Sequence, residues 1–343
     1  MSRGAMSTVL AAMIAICLLA EEQSAANSAH TPPWLSSFQQ QPLSYADERS
    51  EALRFLNSYM PQADKGRVSA EILTQHTDLA LAARHSSPWA LSVPWALFLN
   101  NVLPYASLDE PRDEWRQLFV DRLAPLVAGA TSSTQAAQIL NAKIWDLWGI
   151  RFKADQTPDI MSPAQVIAAG YASCTGLSIF LVAACRAVGI PARVAGTPEW
   201  AATLPSWGPD VHLVGGRGSA AARKLLVGAR AGAGGQEGPP QLAALGTDVG
   251  HDFNNHNWVE VWDDDAWSFM GAAEYNPQGL NRTWFFPNPA KQQIPWDKYH
   301  AIYAASFAPT PGYVTYPLVW SPGWLQPGWD VTQAYLDAQV LDR

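Results

Sequence analysis

Cysteine is scarce in this chain, which contains only three among its 343 residues. Cys17 lies in a segment that we interpret below as a leader, which leaves Cys174 and Cys185. If both lie on one helix, their separation of eleven positions corresponds to about 16 Å along its axis, whereas a disulfide needs Cα atoms within about 7 Å. The scarcity excludes a disulfide-stapled scaffold, and an unpaired thiol in an exported protein calls for a chemical reason.

Long apolar runs are also missing after the first twenty residues. The start combines one basic residue (Arg3), an apolar run from Val9 to Ala20 and small residues before His30. This order is typical of a secretory signal peptide, and the run is short for a membrane span. We therefore predict a signal peptide over residues 1–29, with an uncleaved anchor as the alternative. The expected location is secreted or extracytoplasmic, with no stable membrane association after signal cleavage.

Charge is sparse too, because Asp, Glu, Lys and Arg make up 15 % of the chain, against 48 % hydrophobic residues. That hydrophobic content is ample for a folded core and excludes disorder as a description of the whole chain. The net charge is −8, and −7 without the predicted leader, from 21 basic and 28 acidic residues. A diffuse acidic balance disfavours nucleic acid and anionic membrane surfaces as partners.

Sequence patterns divide the rest of the chain into three segments. Residues 30–134 form a helical N-terminal region broken by prolines, residues 135–290 hold the motifs described next, and residues 291–343 form an extension rich in Pro and Trp. Within the second segment, residues 208–250 are rich in Gly, Ala and Pro without a sustained period. We predict an exposed and poorly ordered inserted loop there, with a gene-model artefact such as a retained intron as the alternative.

A helix is predicted over residues 174–188. Ser173 is suited to cap its start, Gly189 ends it, and Pro191 prevents its continuation. Apolar residues at helical spacing form one stripe that we expect to be buried: Leu177, Phe180, Leu181, Ala184 and Val188.

The position of Cys174 on the first turn of that helix favours a reactive thiol. The positive end of the helix dipole and the free N–H groups there both favour the thiolate. Gly176 is expected to let another backbone or a substrate come close. The alternative for Cys174 is a small buried hydrophobe, which is the role that we predict for Cys185.

His256 is the predicted partner of that thiol, because a thiolate nucleophile needs an imidazole to carry its proton. The stretch HNWVEVWDDDAWSFMGAAE alternates like a hairpin and places His256, Trp258 and Glu260 on one face. A surface histidine is the alternative. His251 and His256 are spaced in a way that weakly resembles a pair of metal ligands. No cluster of cysteines or carboxylates supports a metal site, so we predict no metal and no cofactor.

Glu274 is the predicted orienting acid. If the turn is DDD at 263–265, His256 pairs with Ala272, and Glu274 lies one diagonal step away on the same face, within reach of a Glu side chain. Glu260 shares that face but lies on the histidine's own strand.

Taken together, CTGLSIFLVAACRAVGIPARVAG and HNWVEVWDDDAWSF resemble the transglutaminase-like superfamily. The resemblance implies an α+β fold whose papain/transglutaminase-like core packs the helix carrying the cysteine on an antiparallel sheet, after a helical N-terminal region. It implies that residues 135–290 are the catalytic domain. The family places its acid about four residues after a tryptophan, where this chain has Gly271, which leaves Glu274 as the nearest acid.

The activity implied by the resemblance is amide cleavage or transfer on a protein or peptide substrate. Cys174 forms a thioester, with His256 and Glu274 as its catalytic partners and no cofactor. Hydrolysis is favoured over cross-linking, and the alternative is a catalytically silent binding or scaffold module of the same fold. The Cys174 N–H supplies half of an oxyanion hole, and Asn141 and Trp145 are candidates for the second donor.

Overall fold

The computed structural model describes residues 44–201 and 255–340. The predicted signal peptide, the predicted insert at 208–250 and His251 lie outside these ranges, so what the sequence indicates for them stays a prediction. Within the two described ranges, no helix is long and apolar enough to cross a membrane.

Helices dominate the first described range, as the proline-broken apolar pattern predicts. Ser44, Ser69 and Ser132 each accept a backbone N–H at the start of a helix, which satisfies donors that have no intrahelical partner. Pro125 lies inside one of these helices, whereas the prolines predicted to break the pattern lie between them: Pro61, Pro88, Pro94, Pro104 and Pro111. The helix bounds are α1 Tyr45–Tyr59, α2 Ala70–Ser86, α3 Trp95–Asn101, α4 Trp115–Val127, α5 Ser133–Trp148 and α6 Pro163–Ala169.

The predicted cysteine helix is α7, Cys174–Ala187, and Gly189 follows it with φ of +81°. Every residue from Thr175 to Ala187 is buried. The predicted apolar stripe is therefore only part of its buried surface, because β3 and β4 of the sheet described next cover one side while α4 and α5 pack on the other. A helix that is buried on all sides belongs at the centre of a domain.

A six-stranded antiparallel sheet backs α7, with the strand order β5-β4-β3-β6-β8-β7. Its last three strands come from residues 291–343, the segment that the sequence predicts as a C-terminal extension rich in Pro and Trp. This arrangement of a cysteine helix on an antiparallel sheet confirms the predicted α+β class. The strand bounds are β3 Ala192–Thr197, β4 His256–Asp263, β5 Ala266–Met270, β6 Tyr303–Ala305, β7 Val314–Tyr316 and β8 Gln326–Asp330; the short β1 Arg151–Phe152 and β2 Tyr171–Ala172 pair separately, and α8 is Thr332–Asp337.

The β4–β5 hairpin differs from its predicted register by one residue. Its turn consists of Asp264 and Asp265, with φ of 47° and 60°, and Asp263 pairs with Ala266. A two-residue turn with both φ values positive matches the twist of the flanking strands, and aspartate tolerates that conformation. The predicted three-residue turn was therefore wrong, and a straight β5 would place Glu274 on the face opposite to His256.

Candidate active site

The start of α7 is pinned by two polar side chains. Ser173 accepts the N–H of Gly176 at 3.4 Å, while its own N–H donates to Gln156 Oε1 at 2.6 Å. The amide of Gln156 in turn donates to the carbonyls of Pro158 and Asp159. The loop before the helix is thereby fixed, and with it the position of the first helical residue, Cys174.

Gly176 serves this pinning rather than a ligand. A Cβ at this position would lie 2.7 Å from Gln156 Oε1 and 2.8 Å from the Cβ of Ala172. Both distances are far shorter than van der Waals contact. The expectation that Gly176 admits a substrate is corrected, because Gln156 and Ala172 fill the space beside it.

The thiol of Cys174 is half-buried and lies against His256. Its sulfur is hydrogen-bonded to the imidazole of His256 and to the backbone N–H of Asn257. Burial on its own raises the pKa of the thiol, but the two hydrogen bonds and the positive charge of His256 outweigh it, so that the pKa of Cys174 is lowered. The structure therefore brings together the first two residues that the sequence singled out.

Glu274 lies behind the histidine. Its Oε1 is 3.2 Å from His256 Nε2, and both side chains are buried. Burial alone disfavours a charged imidazole, but the carboxylate of Glu274 and the hydrogen bonds with Cys174 and Glu274 raise the pKa of His256 above its usual value. In the described part of the chain Glu274 Oε2 has no hydrogen-bond partner. The imidazolium is thus the group that offsets this buried charge, and the arrangement favours a thiolate–imidazolium pair.

A bend, and not the predicted diagonal pairing, brings Glu274 to the histidine. Strand β5 ends at Met270, and the carbonyl of the next residue, Gly271, accepts the side-chain amide of Asn141 at 2.9 Å. A Cβ on Gly271 would lie 2.6 Å from the carboxyl carbon of Glu274. The carboxylate therefore occupies the space that a side chain at position 271 would fill.

Asn141 and Trp145 do not supply an oxyanion donor. The amide nitrogen of Asn141 is engaged by Gly271, and the indole N–H of Trp145 donates to Asn141 Oδ1 at 3.1 Å. Both side chains are buried. Their role is to hold the bend that presents Glu274, so these two candidates are corrected from donors to supports of the acid.

An aromatic cage surrounds the imidazole of His256. Its ring centroid is 5.2 Å from that of Trp284 and 5.5 Å from that of Phe285, with Trp200 and Trp258 beside them. These rings restrict the imidazole and exclude water from its hydrogen bond to Glu274, which strengthens that bond. Only Trp258 belongs to the motif read from the sequence; the other rings come from aromatic-rich stretches with no periodic signal.

Glu260, the other carboxylate on this face, is committed elsewhere. It pairs with Arg193 at 2.6 Å and accepts the hydroxyl of Tyr335 at 2.8 Å. Tyr335 also accepts the indole N–H of Trp258 at 2.6 Å. This buried network ties α8 to the face of β4 that carries His256, and it leaves Glu274 as the carboxylate that contacts the histidine.

The pair predicts how alkylation of Cys174 depends on pH. The rate with iodoacetamide should reach half of its maximum below the ordinary thiol value near 9. In His256→Gln the midpoint should move upward, because the positive charge is lost while burial, which raises the pKa, remains. Rates measured by intact mass across a pH series check this. Equal midpoints in the two proteins would contradict the pairing.

Comparison with known proteins agrees with the geometry. Residues 121–272 match the family model of the transglutaminase-like superfamily, whereas no curated protein and no solved structure gives a significant match. The matched range contains Cys174 and His256 and ends two residues before Glu274. The resemblance inferred from the motifs is thereby confirmed, and residues 121–272 of this chain are a domain of the transglutaminase-like superfamily.

Proposed function

We propose that this protein is a secreted cysteine enzyme that cleaves or transfers amide bonds through a thioester on Cys174. The observation that carries the proposal is the continuous contact from the Cys174 thiol through His256 to Glu274. A nucleophile, a base and an orienting group in that order are the requirements of acyl transfer by a thiol.

The reaction follows from a thiolate on Cys174 and a proton on His256. The thiolate of Cys174 attacks the amide carbon, the carbon–nitrogen bond breaks, and His256 gives its proton to the leaving amine. A water molecule or a second amine then attacks the thioester, passing a proton back to His256 as the thiolate leaves. Glu274 keeps the imidazole oriented and stabilises its charged form.

The N–H of Cys174 stabilises the oxyanion that forms during both attacks. As a residue of the first helical turn, its N–H has no acceptor within the helix, and it lies at the positive end of the dipole of a 14-residue helix. Donors aimed at developing negative charge supply a large share of acyl-transfer catalysis.

The proposed substrate is a protein or peptide met outside the cytoplasm. The acidic net charge argues against nucleic acid as a partner. Export rests on the signal-peptide pattern of residues 1–29, and with that segment removed the protein has no stable membrane association in this proposal.

A catalytically silent binding or scaffold module of the same fold is the second candidate. Gly271 favours it, because the family carries its catalytic acid at that position and glycine cannot replace it. Two observations weigh against it: the Glu274 carboxylate fills the space beside Gly271, and it contacts His256. Hydrolysis is favoured over cross-linking within the enzyme proposal.

Profiling a peptide library with and without an added primary amine tests the proposal. We expect new carboxyl termini or deamidated side chains in water alone, and a smaller fraction of amine-linked products when amine is present. Products dominated by amine adducts would reassign the protein as a transferase. Absence of any product, together with a Cys174 that iodoacetamide does not alkylate near neutral pH, would favour the silent module.

A further inference from the structure

Asn257, the residue after His256, connects three parts of the molecule. Its backbone N–H contacts the Cys174 sulfur. Its side-chain amide donates to Thr175 Oγ1 at 2.8 Å, and its Oδ1 accepts the hydroxyl of Tyr316 at 2.5 Å. The residue that follows the base is therefore tied to the residue that follows the nucleophile, and through Tyr316 both are tied to β7.

The three side chains of this connection are buried. Thr175, Asn257 and Tyr316 are exposed by only 4 %, 3 % and 2 %, so that water does not compete for their hydrogen bonds. Hydrogen bonds in such surroundings are strengthened, and a buried polar group that loses its partner is costly to the fold. The connection therefore favours one arrangement of the starts of α7 and β4.

Tyr316 sets the direction of the Asn257 side chain. Burial, followed by the charges of Cys174 and Glu260, raises the pKa of Tyr316 well above its usual value, so its hydroxyl keeps its proton and donates. A donor directed at Oδ1 makes this oxygen the acceptor and leaves the amide nitrogen to Thr175. Tyr316 lies beyond residue 272, where the match to the family ends. The orientation is thus imposed from outside the matched domain.

Gly196 keeps space for the same connection. It pairs with Asn257 across β3 and β4. A Cβ at this position would overlap Asn257 Oδ1 and would lie 2.6 Å from the Tyr316 hydroxyl oxygen. A glycine within a strand often marks a close approach of another group. The approach at Gly196 is that of the Tyr316 hydroxyl to Asn257.

We propose that Tyr316 is a positioning residue which, through Asn257, holds the starts of β4 and α7 together so that His256 and Cys174 stay in contact. The proposal rests on the proposed function and adds to it a residue that the sequence motifs do not contain. Tyr316 acts through Asn257 and needs no contact with the reacting atoms. Such positioning matters because a misplacement of about 1 Å can cost about 100-fold in rate.

Tyr316→Phe tests the proposal by removing the hydroxyl alone. The pH midpoint of Cys174 alkylation by iodoacetamide should rise by about 0.5 or more, because the Asn257 N–H and the imidazole are held less firmly against the sulfur. The charged side chains that act on the thiol, His256 and Glu274, remain in this variant, so the shift reports their placement. Turnover should show kcat about 10-fold lower with KM nearly unchanged.

Thr175 tests the other end of the connection. Thr175→Val replaces the acceptor oxygen by a methyl group of similar size and should raise the midpoint in the same direction, whereas Thr175→Ser keeps the oxygen and should restore the wild-type value. The double variant of Thr175→Val and Tyr316→Phe should shift the midpoint by less than the sum of the two single shifts, because both act through Asn257. Circular dichroism verifies that each variant is folded.

Tyr303→Phe is the matched control. Tyr303 is a buried tyrosine on β6 of the same sheet, and its hydroxyl donates to the carbonyls of Asp297 and Lys298 instead of Asn257. The substitution removes the same atom from a comparable environment. It should preserve the wild-type midpoint and kcat.

Wild-type midpoints in Tyr316→Phe and Thr175→Val would overturn the positioning role and leave the cysteine enzyme in place. So would an equal rise in Tyr303→Phe, or no recovery in Thr175→Ser. A wild-type protein whose Cys174 is alkylated only with a midpoint near the ordinary thiol value of 9 would instead overturn the thiolate–imidazolium pair on which the proposed function rests, and the positioning role with it. The wild-type midpoint thus separates the two failures.

Discussion

Cys174→Ala is expected to lower amide turnover by about 10⁴-fold or more, to the background of the assay, because the thioester has no other sulfur on which to form. Cys185 cannot substitute: it is fully buried in α7, and burial raises the pKa of its thiol far above that of an ordinary cysteine. Steady-state turnover of a substrate from the peptide library, with circular dichroism to verify folding, measures the effect.

Cys185→Ala is the matched control for that experiment. It removes the second thiol of the described chain and should preserve turnover, with a stability loss of about 1 kcal/mol for a small core truncation. Full activity in Cys174→Ala would show that the proposed mechanism is wrong at its root.

Glu274→Gln is expected to lower turnover by about 100-fold or more with the fold intact, because the imidazole loses its charge partner while the amide keeps the shape of the side chain. The pKa of His256 should fall, since the carboxylate is what raises it. The alkaline limb of the kcat/KM profile, where the imidazolium loses its proton, should therefore move to lower pH. Kinetics across a pH series and thermal melts check both effects.

Gly271→Ala tests the role of Glu274 by displacing its carboxylate instead of replacing it. Its Cβ would lie 2.6 Å from the Glu274 carboxyl carbon, so the carboxylate has to move away from His256. We expect a loss of turnover comparable with that of Glu274→Gln. Gly129→Ala is the control, since a Cβ there meets nothing within 4 Å and the backbone does not have positive φ. If Glu274→Gln matches the wild type, the role passes to another polar group such as Asn276, or the site works as a Cys174–His256 dyad.

The local parts of this site could be predicted from sequence because each depends on neighbouring residues. The Ser173 cap, the apolar spacing after Cys174 and Gly189 together define α7 within one residue of its observed end. The alternation after His256 correctly places Trp258 on one face of β4 and Val259 and Val261 on the other. Trp258 packs in one hydrophobic cluster, and the two valines pack together in another. These signals are short-range properties of helices and strands.

The parts that could not be predicted depend on contacts between distant segments. The sequence predicts Glu274 beside His256 through a strand pairing that the structure does not contain. The bend after β5 brings Glu274 to His256 instead, and the side chain of Asn141 holds this bend by a hydrogen bond to Gly271, 130 residues away. The strands β6 and β7 are three residues each, too short for a periodic signal. No local sequence pattern therefore predicts the hydrogen bond from the Tyr316 hydroxyl to Asn257.

The central claim is that an acyl group is carried on Cys174, and trapping that intermediate tests it most directly. An N-acyl amino acid 4-nitrophenyl ester accelerates acylation through its good leaving group, so that thioester hydrolysis becomes the slow step. After an acid quench, intact mass and peptide mapping should show one acyl group, located on the peptide that contains Cys174 and missing in Cys174→Ala. Release of nitrophenol with no adduct on Cys174, or the same adduct in Cys174→Ala, would contradict the mechanism.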